Sequence, residues 1–264
     1  MARFCSLFSS SSGNSTFLSS GKTNILIDAG VSAKRLKEAL LRRDIDPESI
    51  AGIFITHEHS DHISGVRVLA GSYKIPVYAT EGTLSYMQEN GTVNGKFPFE
   101  VIPYEGIEIG DMLIKPFTTP HDSRESCGYR IELPHSLTAA IATDIGKITD
   151  KIKENIIGCD LVMLESNHDI GMLQNGPYPY VLKRRILSDR GHLSNAACGD
   201  MAAELISKGT ARLYLGHLSD ENNFPELAFQ TSLAAISEKT NAVCGRDYIL
   251  EVCRKENYKD IVRF

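Results

Sequence analysis

A chain of 264 residues with 42% hydrophobic side chains is long enough for one large domain or two small ones, with a substantial core. Its 28 basic and 33 acidic residues leave a net charge of −5, which excludes a protein that is basic throughout but not a local basic surface. No apolar run reaches the length of a membrane span, and the start Met1-Ala2-Arg3-Phe4-Cys5-Ser6 lacks the apolar core of a secretory signal.

Six cysteines, Cys5, Cys127, Cys159, Cys198, Cys244 and Cys253, form no C-x-x-C pair and have mostly apolar neighbours. They read as reduced, buried thiols, so a cytoplasmic protein with no membrane partner is expected.

Short strands are expected at residues 3–7 and 16–18, joined by Ser9-Ser10-Ser11-Ser12-Gly13-Asn14-Ser15. That loop suits a hairpin connection, and its N–H groups and hydroxyls can also face an anion. Residues 23–30 form a buried strand ending in Asp28, and residues 32–43 have helical spacing with Leu36, Leu40 and Leu41 apolar. The apolar run Ala51-Gly52-Ile53-Phe54-Ile55 is a further strand. It delivers Thr56-His57-Glu58-His59-Ser60-Asp61-His62, which holds three of the chain's eight histidines. Strand ends of α/β proteins feed the loops where ligands bind, and imidazole and carboxylate are the ligands of zinc, manganese and iron.

Downstream, helices are expected at 66–70, 81–88, 149–156, 178–187, 196–207 and 226–239. Strands are expected at 76–79, 99–102, 108–109, 112–117, 127–133, 138–142, 161–165, 212–215 and 248–252. The stretch 171–180 reads as a lid or substrate loop. His121, Asp144 and His217 each follow an apolar strand, and each is a ligand-type residue. One such residue alone is a cap or a satisfied polar group; three at strand mouths favour a site. No linker or short repeat divides residues 1–264, so a single α/β domain is expected.

The H-x-H-x-D-H pattern behind an apolar strand resembles the metallo-β-lactamase superfamily. The resemblance implies a four-layer αββα sandwich with two divalent metal ions, zinc or manganese and also iron. It assigns His57, His59 and His121 to one ion and Asp61, His62 and His217 to the other, with Asp144 bridging. Asp28 matches the acid that supports the site by hydrogen bonds. Two such ions about 3.5–4 Å apart can share a hydroxide and clamp the attacking and leaving oxygens, with Asp61 also orienting the nucleophile.

Gly191-His192-Leu193-Ser194-Asn195 precedes a helix and resembles the His-Ser-Thr element of the RNase Z-like phosphodiesterases. There the histidine stabilises phosphate or protonates the leaving oxygen, and Glu165 stands where its acid partner does. Together with Ser10-Ser11-Ser12-Gly13-Asn14, Gly128-Tyr129, Glu165-Ser166-Asn167-His168-Asp169 and Gly176-Pro177-Tyr178-Pro179, this looks like the YycJ/WalJ group along nearly the whole chain. The resemblance implies a dinuclear phosphodiesterase, a 5′-to-3′ exonuclease on DNA with catalytic Asp61, His192 and Glu165. RNA or a small cyclic phosphodiester is the alternative, ahead of a thioester or β-lactam. Ser12, Gly13, Asn14, Asn167, His168 and Arg185 are the candidates for contact with substrate and its 5′ phosphate. The span from Asp144 to His217 is too short for the β-CASP insertion of RNase J-type nucleases.

Overall fold

Most strands read as unbroken apolar runs rather than alternating ones, which requires both faces of their sheets to be covered. In the computed structural model, which describes residues 1–264, they are. One sheet contains β1 (Arg3–Phe8), β2 (Ser15–Ser19), β3 (Asn24–Ile27), β4 (Ile50–Phe54), β5 (Val77–Ala79) and β6 (Phe99–Val101). The second contains β7 (Ile107–Ile109), β8 (Met112–Thr118), β9 (Cys127–Glu132), β10 (Thr138–Ala142), β11 (Leu161–Glu165), β12 (Arg212–Gly216) and β13 (Ile249–Val252). A short C-terminal strand, β14 (Val262–Arg263), completes the first sheet beside β1. The orders are β14-β1-β2-β3-β4-β5-β6 and β13-β12-β11-β10-β9-β8-β7. Each sheet follows one plan, antiparallel up to β3 or β10 and parallel from there on.

Three apolar clusters show how the layers stack. Phe17, Leu26 and Ile53 of the first sheet pack with Leu36 and Leu40 of α1 (Ala33–Leu41), Leu69 of α3 (Val66–Tyr73) and Leu84 of α4 (Glu81–Glu89). Val162 and Leu213 of the second sheet pack with Ile152 of α5 (Asp150–Ile156), Leu205 of α8 (Asn195–Ser207) and Ile236 of α9 (Pro225–Lys239). Between the sheets lie Phe4, Leu18, Ile25, Phe54, Ile131, Leu161 and Tyr214. Along β11, Leu161 and Met163 point between the sheets while Val162 and Leu164 point to the helices. Side-chain alternation therefore buries every position of such a strand. The result is a four-layer αββα sandwich.

Two segments differ from the sequence expectation. A one-turn helix, α2 (Ser60–Ile63), closes the histidine motif. The stretch 171–180 is not simply a loop, because it begins inside α6 (Ile170–Asn175). Asp169 caps that helix by accepting from the Met172 N–H, and its buried Leu173 anchors it. The chain then passes through Gly176 to Pro179 into α7 (Tyr180–Ile186).

Candidate metal centre

The parallel strands β3, β4, β10, β11 and β12 all deliver site residues from their carboxyl ends. Asp28 follows β3, Thr56 and His57 follow β4, Asp144 follows β10, Glu165 ends β11 and His217 follows β12. Asp28, Asp144 and His217 take left-handed backbone, with φ of 63°, 57° and 55°. For residues other than glycine this costs roughly 1–2 kcal/mol each and is common where a side chain must be aimed at a site. The Thr56 N–H and hydroxyl hold the Asp28 carboxylate at 2.8 and 2.9 Å, and the His217 N–H donates to Ser9 Oγ at 2.8 Å. Gly30 lets the Asp28 and histidine loops meet. A Cβ there would lie 1.6 Å from the Asp61 carbonyl oxygen.

Seven side chains converge. His57 Nε2 lies 3.0 Å from His59 Nδ1, and His121 Nε2 lies 3.3 Å from the same atom. Beside this trio, His62 Nε2 is 3.4 Å from Asp61 Oδ2, which is 3.6 Å from His217 Nε2. Asp144 stands between the groups, with Oδ2 3.4 Å from His62 Nε2 and Oδ1 3.7 Å from His121 Nε2. Ligand atoms within each of the groups His57–His59–His121, Asp61–His62–His217 and His57–His62–Asp144 lie within 4.8 Å of one another.

The other ring nitrogens decide which atoms face inward. His57 Nδ1 meets Thr56 Oγ1 at 3.1 Å and His62 Nδ1 donates to Asp28 Oδ2 at 2.7 Å. His121 Nδ1 donates to the Gly191 carbonyl at 3.0 Å and His217 Nδ1 to Glu165 Oε1 at 2.7 Å. Each leaves its Nε2 for a ligand, the usual arrangement around a metal-bound imidazole. The donor set fits divalent cations on a further ground. Asp144 Oδ2 and His217 Nε2 are buried without any hydrogen-bond partner, a costly state that a cation at the centre would relieve.

The electrostatics of the two groups differ. Burial and the neighbouring imidazoles push His57 well down, and burial pushes His121 down. At His62, burial is outweighed by Asp28, Asp144 and Asp61, so its pKa is raised well above the ordinary value. At His217, the Asp144, Asp61 and Glu165 carboxylates around the ring likewise overcome burial and raise it to about 10. Asp61, although buried, is held well below the usual carboxylate range by His62 and His217.

Glu165 is fully buried and ties two histidines together. Its Oε1 accepts from His217 Nδ1 and, at 2.8 Å, from His192 Nδ1, while Oε2 accepts from the N–H of Ile145 and Leu193 at 2.8 and 3.0 Å. The His192 ring centroid lies 5.1 Å from that of His121 and 5.3 Å from that of His217.

The six residues expected to meet substrate fall in different places. Ser12 is exposed, with its hydroxyl 2.9 Å from that of Ser10, while Gly13 packs against Val31. Asn14 lies against the ligand cluster itself, Nδ2 being 3.3 Å from Asp61 Oδ2 and 3.1 Å from His62 Nε2. Asn167 is buried and donates to the His217 carbonyl at 2.9 Å, and Arg185 is exposed and pairs with Asp122, next to His121. His168 is buried in the wall of a neighbouring groove.

Sequence reasoning named Ser9, Thr56, Gly191 and Tyr129 within its motifs but assigned none of them a contact. Tyr129 donates to the Ile55 carbonyl at 2.7 Å and so braces the histidine loop from the opposite sheet. Its place in an apolar strand carried no signal of that bond.

A family model described as a β-lactamase superfamily domain matches residues 23–218. The chain belongs to the metallo-β-lactamase superfamily. With curated relatives named as exodeoxyribonucleases, this chain is a metal-dependent hydrolase. It is 37% identical over 239 residues to the exodeoxyribonuclease YycJ of Bacillus anthracis, covering 89% of each. It is also 37% identical over 241 residues to the exodeoxyribonuclease WalJ of Streptococcus pneumoniae, covering 89% of this chain and 88% of the relative. The metallo-β-lactamase fold protein YhfI of Bacillus subtilis superposes with a TM-score of 0.71 at 16% identity, over 97% of this chain and 98% of YhfI. That likeness is one of fold.

Proposed function

We propose that this chain is a dinuclear 5′-to-3′ exonuclease acting on DNA that carries a 5′ phosphate. The observation that carries the reading is the Glu165–His192 pair beside the ligand cluster. A phosphodiester expels an alkoxide, which needs a proton, whereas a thioester expels a thiolate that leaves without one. The likeness to two exodeoxyribonucleases supports DNA as the polymer.

His57, His59 and His121 would hold one ion, and Asp61, His62 and His217 the other, with Asp144 shared. Zinc, manganese or iron suits these donors. When bound, the ions supply Lewis acidity and a water nucleophile ionised near neutral pH. Asp61, held ionised, orients that nucleophile by accepting its hydrogen bond. His192, oriented by Glu165, donates a proton to the departing 3′ oxygen. Asp28, Thr56 and the Gly191 carbonyl keep the ligand rings aimed. Arg185 and Ser12 are exposed near this end of the molecule and are the candidates for meeting the 5′ phosphate. The six free cysteines suit the reducing cytoplasm, and no helix is long and apolar enough to cross a membrane.

The two ligand groups are expected to lose metal at different pH. His57 and His121 are neutral at pH 7, so the first ion displaces no proton from them. His62 and His217 are protonated in the metal-free protein, and the second ion must displace those protons. Protons compete harder as pH falls below the raised pKa of His62 and His217, so the second ion should be lost at a higher pH than the first. Metal analysis after equilibrium dialysis at each pH checks this, and loss of both ions together would contradict it.

The deciding experiment is a cleavage time course on 5′-phosphorylated duplex DNA labelled at either end. Manganese-loaded and zinc-loaded protein would be compared, with chelated protein as the blank. Mononucleotides released progressively from the 5′ end are the expected result. Internal cuts would remove the end-recognition part, and cleavage of RNA or a generic phosphodiester alone would replace DNA as the substrate.

A further inference from the structure

His192 also lines a groove of about 680 Å³ that runs along α8. That volume is typical of sites for small organic ligands. Ile148 and Met201 form apolar wall, and Ile170 and Leu187, 41% and 44% exposed, stand at its edge. Three lysines line it, and each is paired. Lys147 pairs with Asp189, Lys153 with Glu204 and Lys239 with Asp200. No lysine of the groove is left unpaired for a phosphate.

The unusual polar group in this wall is His168. Its side chain is buried, the residue being 1% exposed, and both ring nitrogens lack a hydrogen-bond partner. Burial pushes its pKa down to about 4, so at neutral pH it offers one donor and one acceptor rather than a charge. A groove whose wall combines apolar side chains, paired lysines and a neutral imidazole suits a heterocyclic base better than an anion.

We propose that this groove seats the terminal nucleobase of the strand being shortened, on the leaving side of the scissile phosphodiester. This rests on the nuclease reading above. His192 ties the two places together, because it borders both the ligand cluster and the groove. In 5′-to-3′ removal of mononucleotides the bond from phosphorus to the 3′ oxygen breaks, and that oxygen belongs to the terminal nucleoside. A histidine that protonates it therefore stands beside the sugar whose base needs a seat. His168, whose ring nitrogens lie covered in the wall, would then turn to hydrogen-bond the base edge.

The test compares 5′-phosphorylated oligonucleotides whose terminal nucleotide is either intact or abasic. The wild-type protein is expected to cleave the intact end with a kcat/KM at least about tenfold higher, the order expected for a buried base contact. Ala197 of α8 is a half-buried wall residue, and Ala197→Trp would fill the groove. In that variant the ratio of intact to abasic rates should fall toward one. His168→Phe keeps the ring volume but removes both nitrogens, and should lower the ratio several-fold through KM. Equal rates on the two ends in the wild type would overturn the proposal, as would an unchanged ratio in Ala197→Trp.

A direct binding measurement separates this outcome from failure of the nuclease reading. Thymidine 5′-phosphate and abasic deoxyribose 5-phosphate would be titrated into metal-loaded protein by calorimetry. Tighter binding of the nucleotide, lost in Ala197→Trp, supports the base seat even if no DNA is cut. Equal binding of the two overturns it.

Discussion

Glu165→Gln is expected to lower kcat/KM on DNA by about 10³-fold or more. The magnitude combines the contribution of an oriented general acid, about 10²–10⁴-fold, with that of a supported metal ligand, about 10–100-fold. Glu165 has four hydrogen-bonded contacts, and in all four it accepts. Glutamine has nearly the same volume but must turn its NH₂ either toward the His192 and His217 N–H groups or toward the Ile145 and Leu193 N–H groups. Two donors then face a donor whichever way it turns. The lost carboxylate also removes the charge that helps raise His217. His192 and His217 in turn hold Glu165 below its ordinary pKa despite burial. A depressed carboxylate contributes stability above its unfolded pKa and loses it as pH falls. The metal-free variant should therefore be less stable at neutral pH, by about 3–5 kcal/mol for a broken buried ion pair. Steady-state rates, metal content and denaturant melts of the metal-free protein check the three parts. A variant with near wild-type rates would remove Glu165 from the machinery.

His192→Ala is expected to lower kcat on DNA by about 10²–10⁴-fold while metal content stays at the wild-type level. Its Nδ1 is taken by Glu165, and its side chain is 17% exposed while those of His62 and His121 are 0% exposed. The residue thus borders the ligand cluster from its open side. The readout that separates proton donation from a structural role is the leaving group. A phosphodiester that releases p-nitrophenolate needs little help from an acid, so the variant should lose far less on it than on DNA. Equal losses on both substrates would mean that His192 binds phosphate or supports the fold. Full nuclease activity with metals bound would end the leaving-group role.

The histidine motif was legible because its chemistry is local. His57, His59, Asp61 and His62 sit within one loop after one apolar strand, so their types and spacing were enough to suggest metal ligation. His121, Asp144 and His217 carried less local signal, since each is a single polar residue at a strand end. Their joint assignment came from the family resemblance, and the structure brings their side chains to the same place. The strands were legible for a related reason. Two-sided burial leaves them as apolar runs such as Leu161-Val162-Met163-Leu164. α6 was not, because its six residues bury only Leu173 and show no apolar period.

From the sequence alone came the ligand types, the apolar strands that carry them and an α/β class, because residue chemistry and periodicity are properties of neighbouring positions. The tertiary structure decided which nitrogen of each histidine faces the centre. It also decided that Glu165 holds two imidazoles at once and that His168 lies unpaired in a groove beside His192. Those facts depend on partners far apart in the chain, such as Asn14 with Asp61, 47 residues on, and Ser9 with His217, 208 residues on. Contacts at that separation are created by the packing of the two sheets, and no local stretch of residues contains them.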